Sequence, residues 1–184
     1  MRTEVHVHGS IFLCKGVRLK QVEQALRPWL EYLDVETLAD ARSLEQEEPG
    51  IAFDARERTL NICWTGEVGR NFQDKLGAAI QNVGPLTEYA SEIEVTYYPD
   101  HGDDEFYQVF VGPTPEAIHE FRRQCVVEDA TQLLSRHLGK TEVDQVATLI
   151  SDLFGKSQPP KQPASEQSGS STVIPLHPRN KHLH

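Results

Sequence analysis

His6 and His8 stand two residues apart in a stretch where Glu4, His6, His8 and Ser10 alternate with Val5, Val7, Gly9, Ile11 and Leu13. Alternate side chains of an extended chain point to opposite faces, so both imidazoles are predicted on one side of a strand with the aliphatic row on the other. Two imidazoles so placed can share a transition-metal ion, and imidazole, thiolate and carboxylate together suit zinc. His6 and His8 are therefore the candidate metal ligands. A third ligand would be Glu4 from the same strand, or Glu94 or Cys63 from its neighbours.

Cys63 and Glu94 enter through two further predicted strands. In Thr59–Thr65, Leu60, Ile62 and Trp64 alternate with Asn61, Cys63 and Thr65, and in Glu92–Tyr98, Ile93, Val95 and Tyr97 alternate with Glu94, Thr96 and Tyr98. If these strands flank the first, Glu4, His6, His8, Cys63, Glu94 and Tyr98 form one ligand-binding or interface face. No catalytic residue is assigned. Cys63 beside a histidine resembles a nucleophile with its base, yet no orienting third residue or oxyanion loop accompanies it.

Other segments carry weaker chemistry. Gly66, Gly69 and Arg70 sit in a predicted strand-to-helix turn whose backbone amides could hold an anion, but the third glycine of a dinucleotide fingerprint and the Gly-Lys-Ser/Thr of a P-loop are missing, and Glu67 repels phosphate. Asp100, Asp103, Asp104 and Glu105 lack the spacing of an EF-hand and read as a solvated hairpin tip. Arg123 stands where a zinc-protease motif beginning at His119 and Glu120 needs its second histidine, so His119 is expected on a wet helix face. No cofactor signature is present.

The elements that would position these groups follow from hydrophobic period. Val22, Ala25, Leu26, Trp29, Leu30 and Leu33 predict an amphipathic helix over Leu19–Asp34, kinked near Gln24–Arg27 by Pro28. Leu38, Ala41 and Leu44 allow at most a short helix before an acidic connection. Ile51–Asp54 and Thr59–Thr65 read as a hairpin. Phe72, Leu76, Ala79, Ile80 and Val83 mark a helix stopped by Gly84-Pro85, and Glu92–Tyr98 with Glu105–Gly112 form a second hairpin. Thr114-Pro115 opens a helix running to about Leu138, and Thr141 with Asp144 resembles a capping box for a last one.

The predicted fold class is α+β: an antiparallel sheet with a ferredoxin-like βαββαβ core, an extra strand and two C-terminal helices. Residues 1–154 are expected to form one domain. Residues 155–184, rich in Pro, Ser and Gln and ending in a basic, histidine-containing stretch, are expected to be disordered. Within them, Val173–Pro178 is an apolar cluster suited to docking on a partner or on the chain's own acidic body.

The 184 residues carry a formal charge of −10. Lys156, Lys161, Arg179 and Lys181 against Glu166 give residues 156–184 a balance of +3, so residues 1–155 carry the difference, −13. Such a surface opposes direct nucleic-acid binding and docking on anionic membranes, and it leaves basic partners, cations and small ligands. Three unpaired cysteines and the lack of a signal-like N-terminus or apolar span point to a cytoplasmic protein. The expected function is a non-enzymatic binding or regulatory module with a protein partner or self-association, acting through the polar sheet face or the C-terminal helices. The alternatives are a metal-dependent or small-molecule enzyme using the histidine face, and an acidic nucleic-acid mimic that occupies a basic protein.

Overall fold

The computed structural model describes residues 2–156 and 173–174, which fall into two compact units. The first comprises residues 2–115 with 173–174, and the second begins at Glu116. The first is α+β. Its antiparallel strands are β1 (Thr3–Phe12), β2 (Gly50–Asp54), β3 (Thr59–Val68), β4 (Ser91–Tyr98) and β5 (Glu105–Val111). They lie in the order β2-β3-β1-β4-β5, and the two-residue β6 (Val173–Ile174) pairs with Val109 and Gln108 of β5 at the edge. Those two tail residues are therefore strand, while the rest of the expected disordered segment beyond Lys156 lies outside the described residues.

β1 sits at the centre. It pairs with β3 over its whole length, from Thr3↔Val68 to Phe12↔Thr59, and with β4 from Glu4↔Tyr98 to Gly9↔Ile93. Directly opposed residues in an antiparallel pair share a face. Val7 therefore joins Trp64 and Val95, and Ile11 joins Leu60, all of them buried. At Gly9 the strands approach so closely that a Cβ would lie 2.8 Å from the Glu92 carbonyl oxygen, which excludes any larger residue there.

Helices α1 (Leu19–Ala25), α2 (Arg27–Tyr32) and α3 (Phe72–Val83) supply the other half of the core. The predicted kinked helix is broken outright at Leu26, whose ψ of 3° leaves helical geometry. Pro28 then lies in the first turn of α2, where a missing N–H leaves no helical bond unmade. Leu26, Trp29 and Leu30 remain buried across the break, so the apolar stripe survives it. Between α2 and β2 the only helical piece is a 3-10 turn at Leu38–Asp40.

The core is organised around aromatic rings. Trp64 stacks on Phe72 with centroids 5.8 Å apart, and Trp29 meets both edge-on at 5.6 and 6.2 Å. Such pairs add about 0.5–1.5 kcal/mol each beyond area burial. Trp64 is seated by its Nε1–H, which donates to the Arg42 carbonyl at 3.0 Å, and by Gly66, whose missing side chain leaves room for the indole.

The second unit contains α4 (Pro115–Leu134), whose residues from Glu116 onward belong to it, and α5 (Lys140–Lys156), an antiparallel helix pair. α5 begins one residue before Thr141, which therefore sits in its first turn instead of capping it. His119 is half-buried: its ring packs on Phe154 at 5.6 Å and its Nε2 lies 3.2 Å from the Phe154 carbonyl oxygen, correcting the expectation of a wet face. One turn on, Arg123 donates to Ser151 Oγ at 3.0 Å and also binds Glu120, whose carboxyl its hydrogen bonds hold down at about 2. None of the described helices is long and apolar enough to cross a membrane.

An alanine Cβ at position 66 would lie 2.3 Å from the Trp64 ring, whereas at Gly69 the nearest atom, Tyr32 Oη, is 3.6 Å away. Overpacking of a filled core costs about 1–3 kcal/mol. Gly66→Ala is expected to lower the unfolding free energy measured in urea by that amount, with a lower midpoint, and to alter tryptophan fluorescence, while Gly69→Ala stays within about 0.5 kcal/mol of the parent. Equal midpoints for the two variants would contradict this packing.

Candidate functional site

The polar side of β1 is assembled row by row. His8 lies between Cys63 on β3 and Glu94 on β4, His6 between Thr65 and Thr96, and Glu4 between Glu67 and Tyr98. β2 extends the first row with Gly50, opposite Cys63. All six residues expected on this face are present on it. They are not equally close.

His6, His8 and Cys63 converge: one ring nitrogen of each histidine and the Cys63 sulfur all lie within 4.8 Å of one another. The imidazoles are near-parallel, 14° apart, with centroids separated by 5.9 Å. His8 is exposed, whereas His6 and Cys63 are half-buried. Glu94 flanks His8 across the β1–β4 ladder but stands outside the triad, as do Glu4 and Tyr98, which share the row two removed from His8. The metal pair His6 and His8 is thus joined by one of the three proposed third ligands, Cys63.

Glu48 and Ser43 escaped the sequence reading. Glu48, from the acidic connection before β2, places Oε1 3.3 Å from His6 Nδ1, and its side chain is 18% exposed against 26% for His6. The Thr65 hydroxyl donates to Glu48 Oε1 at 3.1 Å and lies 2.9 Å from His6 Nδ1. Because that hydroxyl gives its proton to the carboxylate, its oxygen accepts from Nδ1–H, and in the neutral imidazole that tautomer carries its lone pair on Nε2. Ser43 completes the chain by donating to Glu48 Oε2 at 2.5 Å while its Oγ accepts the Thr65 N–H at 2.9 Å. Only the β2–β3 register, which brings Gly50 beside Cys63, could have moved Glu48 from linker to site.

Burial, and then the negative charge of Glu48, push the Cys63 thiol above its ordinary range. A nucleophilic cysteine needs the opposite shift. The weak anion site also loses a member: Gly66 lies inside β3 opposite Val5, which shortens the connecting turn, and the Gly69 N–H already donates to Tyr32 Oη at 2.6 Å. Arg70 remains exposed at that turn. The described cysteines are all free thiols.

In a Cys14→Ser/Cys125→Ser background, Cys63 is expected to react with a disulfide reagent at pH 8 more slowly than a free thiol. Adding Glu48→Gln removes a negative charge that raises the thiol, so the thiolate fraction rises and the rate increases roughly threefold. An unchanged or slower rate would contradict the electrostatic coupling.

No curated protein and no solved structure matches the chain. One family does, over residues 3–155, a span that runs from the start of β1 to the penultimate residue of α5 and so takes in the whole polar face. The chain belongs to the family of unknown function DUF6806.

Proposed function

We propose that the protein is a non-enzymatic cytoplasmic binding module that uses the polar face of β1, β3 and β4 to hold a positively charged protein partner. The observation that carries this reading is the concentration on one face of Glu4, Glu67 and Glu94, all exposed, around the exposed His8. The helices of the same unit bury their apolar residues with the opposite, aliphatic side of the sheet. An acidic surface steers cationic partners and repels nucleic acid, in keeping with the −13 charge of residues 1–155. Half-exposed Tyr98 and Phe106 add the aromatic character common in contact surfaces. The raised Cys63 thiol argues for binding over nucleophilic catalysis.

We further infer a ferredoxin-like core for this module. The antiparallel order β2-β3-β1-β4, with helices following β1 and β3, supports that arrangement, and β5 is then the added strand.

A lysine-rich peptide titrated into isotope-labelled protein at low ionic strength provides the test. Amide shifts are expected to cluster on β1, β3 and β4, to weaken about tenfold in Glu4→Lys/Glu94→Lys, and to fade as salt screens the face. Shifts confined to α4 and α5, or affinity indifferent to the double variant, would overturn the reading.

A further inference from the structure

We propose that His6, His8 and Cys63 form a site for a zinc-class divalent transition-metal ion on this face, with Glu48 as the carboxylate that orients His6. The inference rests on the reading of the polar face as the working surface and adds an ion to its centre.

The geometry carries it. Donors bound to one tetrahedral zinc, at about 2.0–2.1 Å for nitrogen and about 2.3 Å for sulfur, lie roughly 3.4–3.6 Å apart. The three donor atoms are already within 4.8 Å of one another, so side-chain adjustments of roughly 1 Å would bring them to coordination distance, and the exposed His8 side chain has room to move. Cys63 and His8 are directly opposed across the β1–β3 ladder and His6 is the diagonal neighbour, so the backbone of two paired strands fixes the donor spacing.

The donor set is borderline-soft, one sulfur with two imidazoles, which favours zinc over calcium or magnesium. Metal-bound histidines commonly donate their other ring N–H to a carboxylate, which sets the tautomer and the ring direction. His6 is held in that manner by Thr65 and Glu48, with Glu48 in turn fixed by Ser43. Three protein ligands on a partly exposed face leave a fourth position for water or for a group from a bound partner.

Cobalt(II) substitutes for zinc and reports its ligands by absorption. In full-length Cys14→Ser/Cys125→Ser protein, one equivalent of cobalt is expected to give a thiolate-to-cobalt charge-transfer band with intense visible bands, all discharged by zinc. Cys63→Ser abolishes the charge-transfer band. His8→Ala, at an exposed position where the fold tolerates change, weakens cobalt binding at least about tenfold, and Glu48→Gln keeps the band while weakening affinity about tenfold. His177, His182 and His184 of the tail cannot imitate this signal, because the background leaves Cys63 as the sole thiol. A missing charge-transfer band, a band that persists in Cys63→Ser, or unchanged affinity in His8→Ala overturns the site. If the band is missing while the lysine-rich peptide still shifts the polar face, the metal site alone falls; if the peptide shifts only α4 and α5, the reading of the face falls with it.

Discussion

The central strand β1 is held from both sides at once, and its register governs both the core and the site. Val5, Val7 and Ile11 occupy one side of that strand, fully buried, while Glu4, His6 and His8 occupy the other. Because the side-chain period is two, a slip of one residue would drive the histidines into the aromatic core and the valines to the polar face. Gly9 adds a steric constraint, since in this register a Cβ there would clash with the Glu92 backbone. The core and the candidate site are therefore coupled through one strand.

Burial on the aliphatic side supplies the free energy that holds the polar side in place. Fully burying a large apolar side chain such as Trp29 or Phe72 contributes about 1.5–3 kcal/mol. Hydrogen bonds along Ser43, Glu48, Thr65 and His6 contribute less individually, and their main effect is geometric. They tie the segment before β2 to β1 and present an oriented imidazole at the surface. The strand ladders place the donors; the loop carboxylate aims one of them.

Much of this arrangement was legible in the residue pattern because it follows from local period. Alternation in β1, β3 and β4 placed Val7, Trp64 and Val95 on one face and His8, Cys63 and Glu94 on the other. The stop at Gly84-Pro85 likewise marks the end of α3. Where the reading departed from the structure, tertiary context decided. The first helix ends at Leu26, which takes a non-helical conformation, so Pro28 opens a second short helix, and Gly66 belongs to β3 through its pairing with Val5 of β1. His119 is covered by Phe154, a residue 35 positions away on the antiparallel helix. Glu48 was the largest omission from the candidate site. Nothing local distinguishes it from Glu45 or Glu47, and only the fold of the connection brings it to His6.

The proposed metal site requires residues from two paired strands to form one coordination sphere on the polar face of the sheet. X-ray absorption at the zinc edge of the stoichiometrically loaded full-length protein measures that sphere directly. The predicted result is one sulfur at about 2.3 Å with nitrogen or oxygen neighbours at about 2.0–2.1 Å and the outer-shell scattering of two imidazoles. A first shell of nitrogen and oxygen alone, with no sulfur, would contradict it.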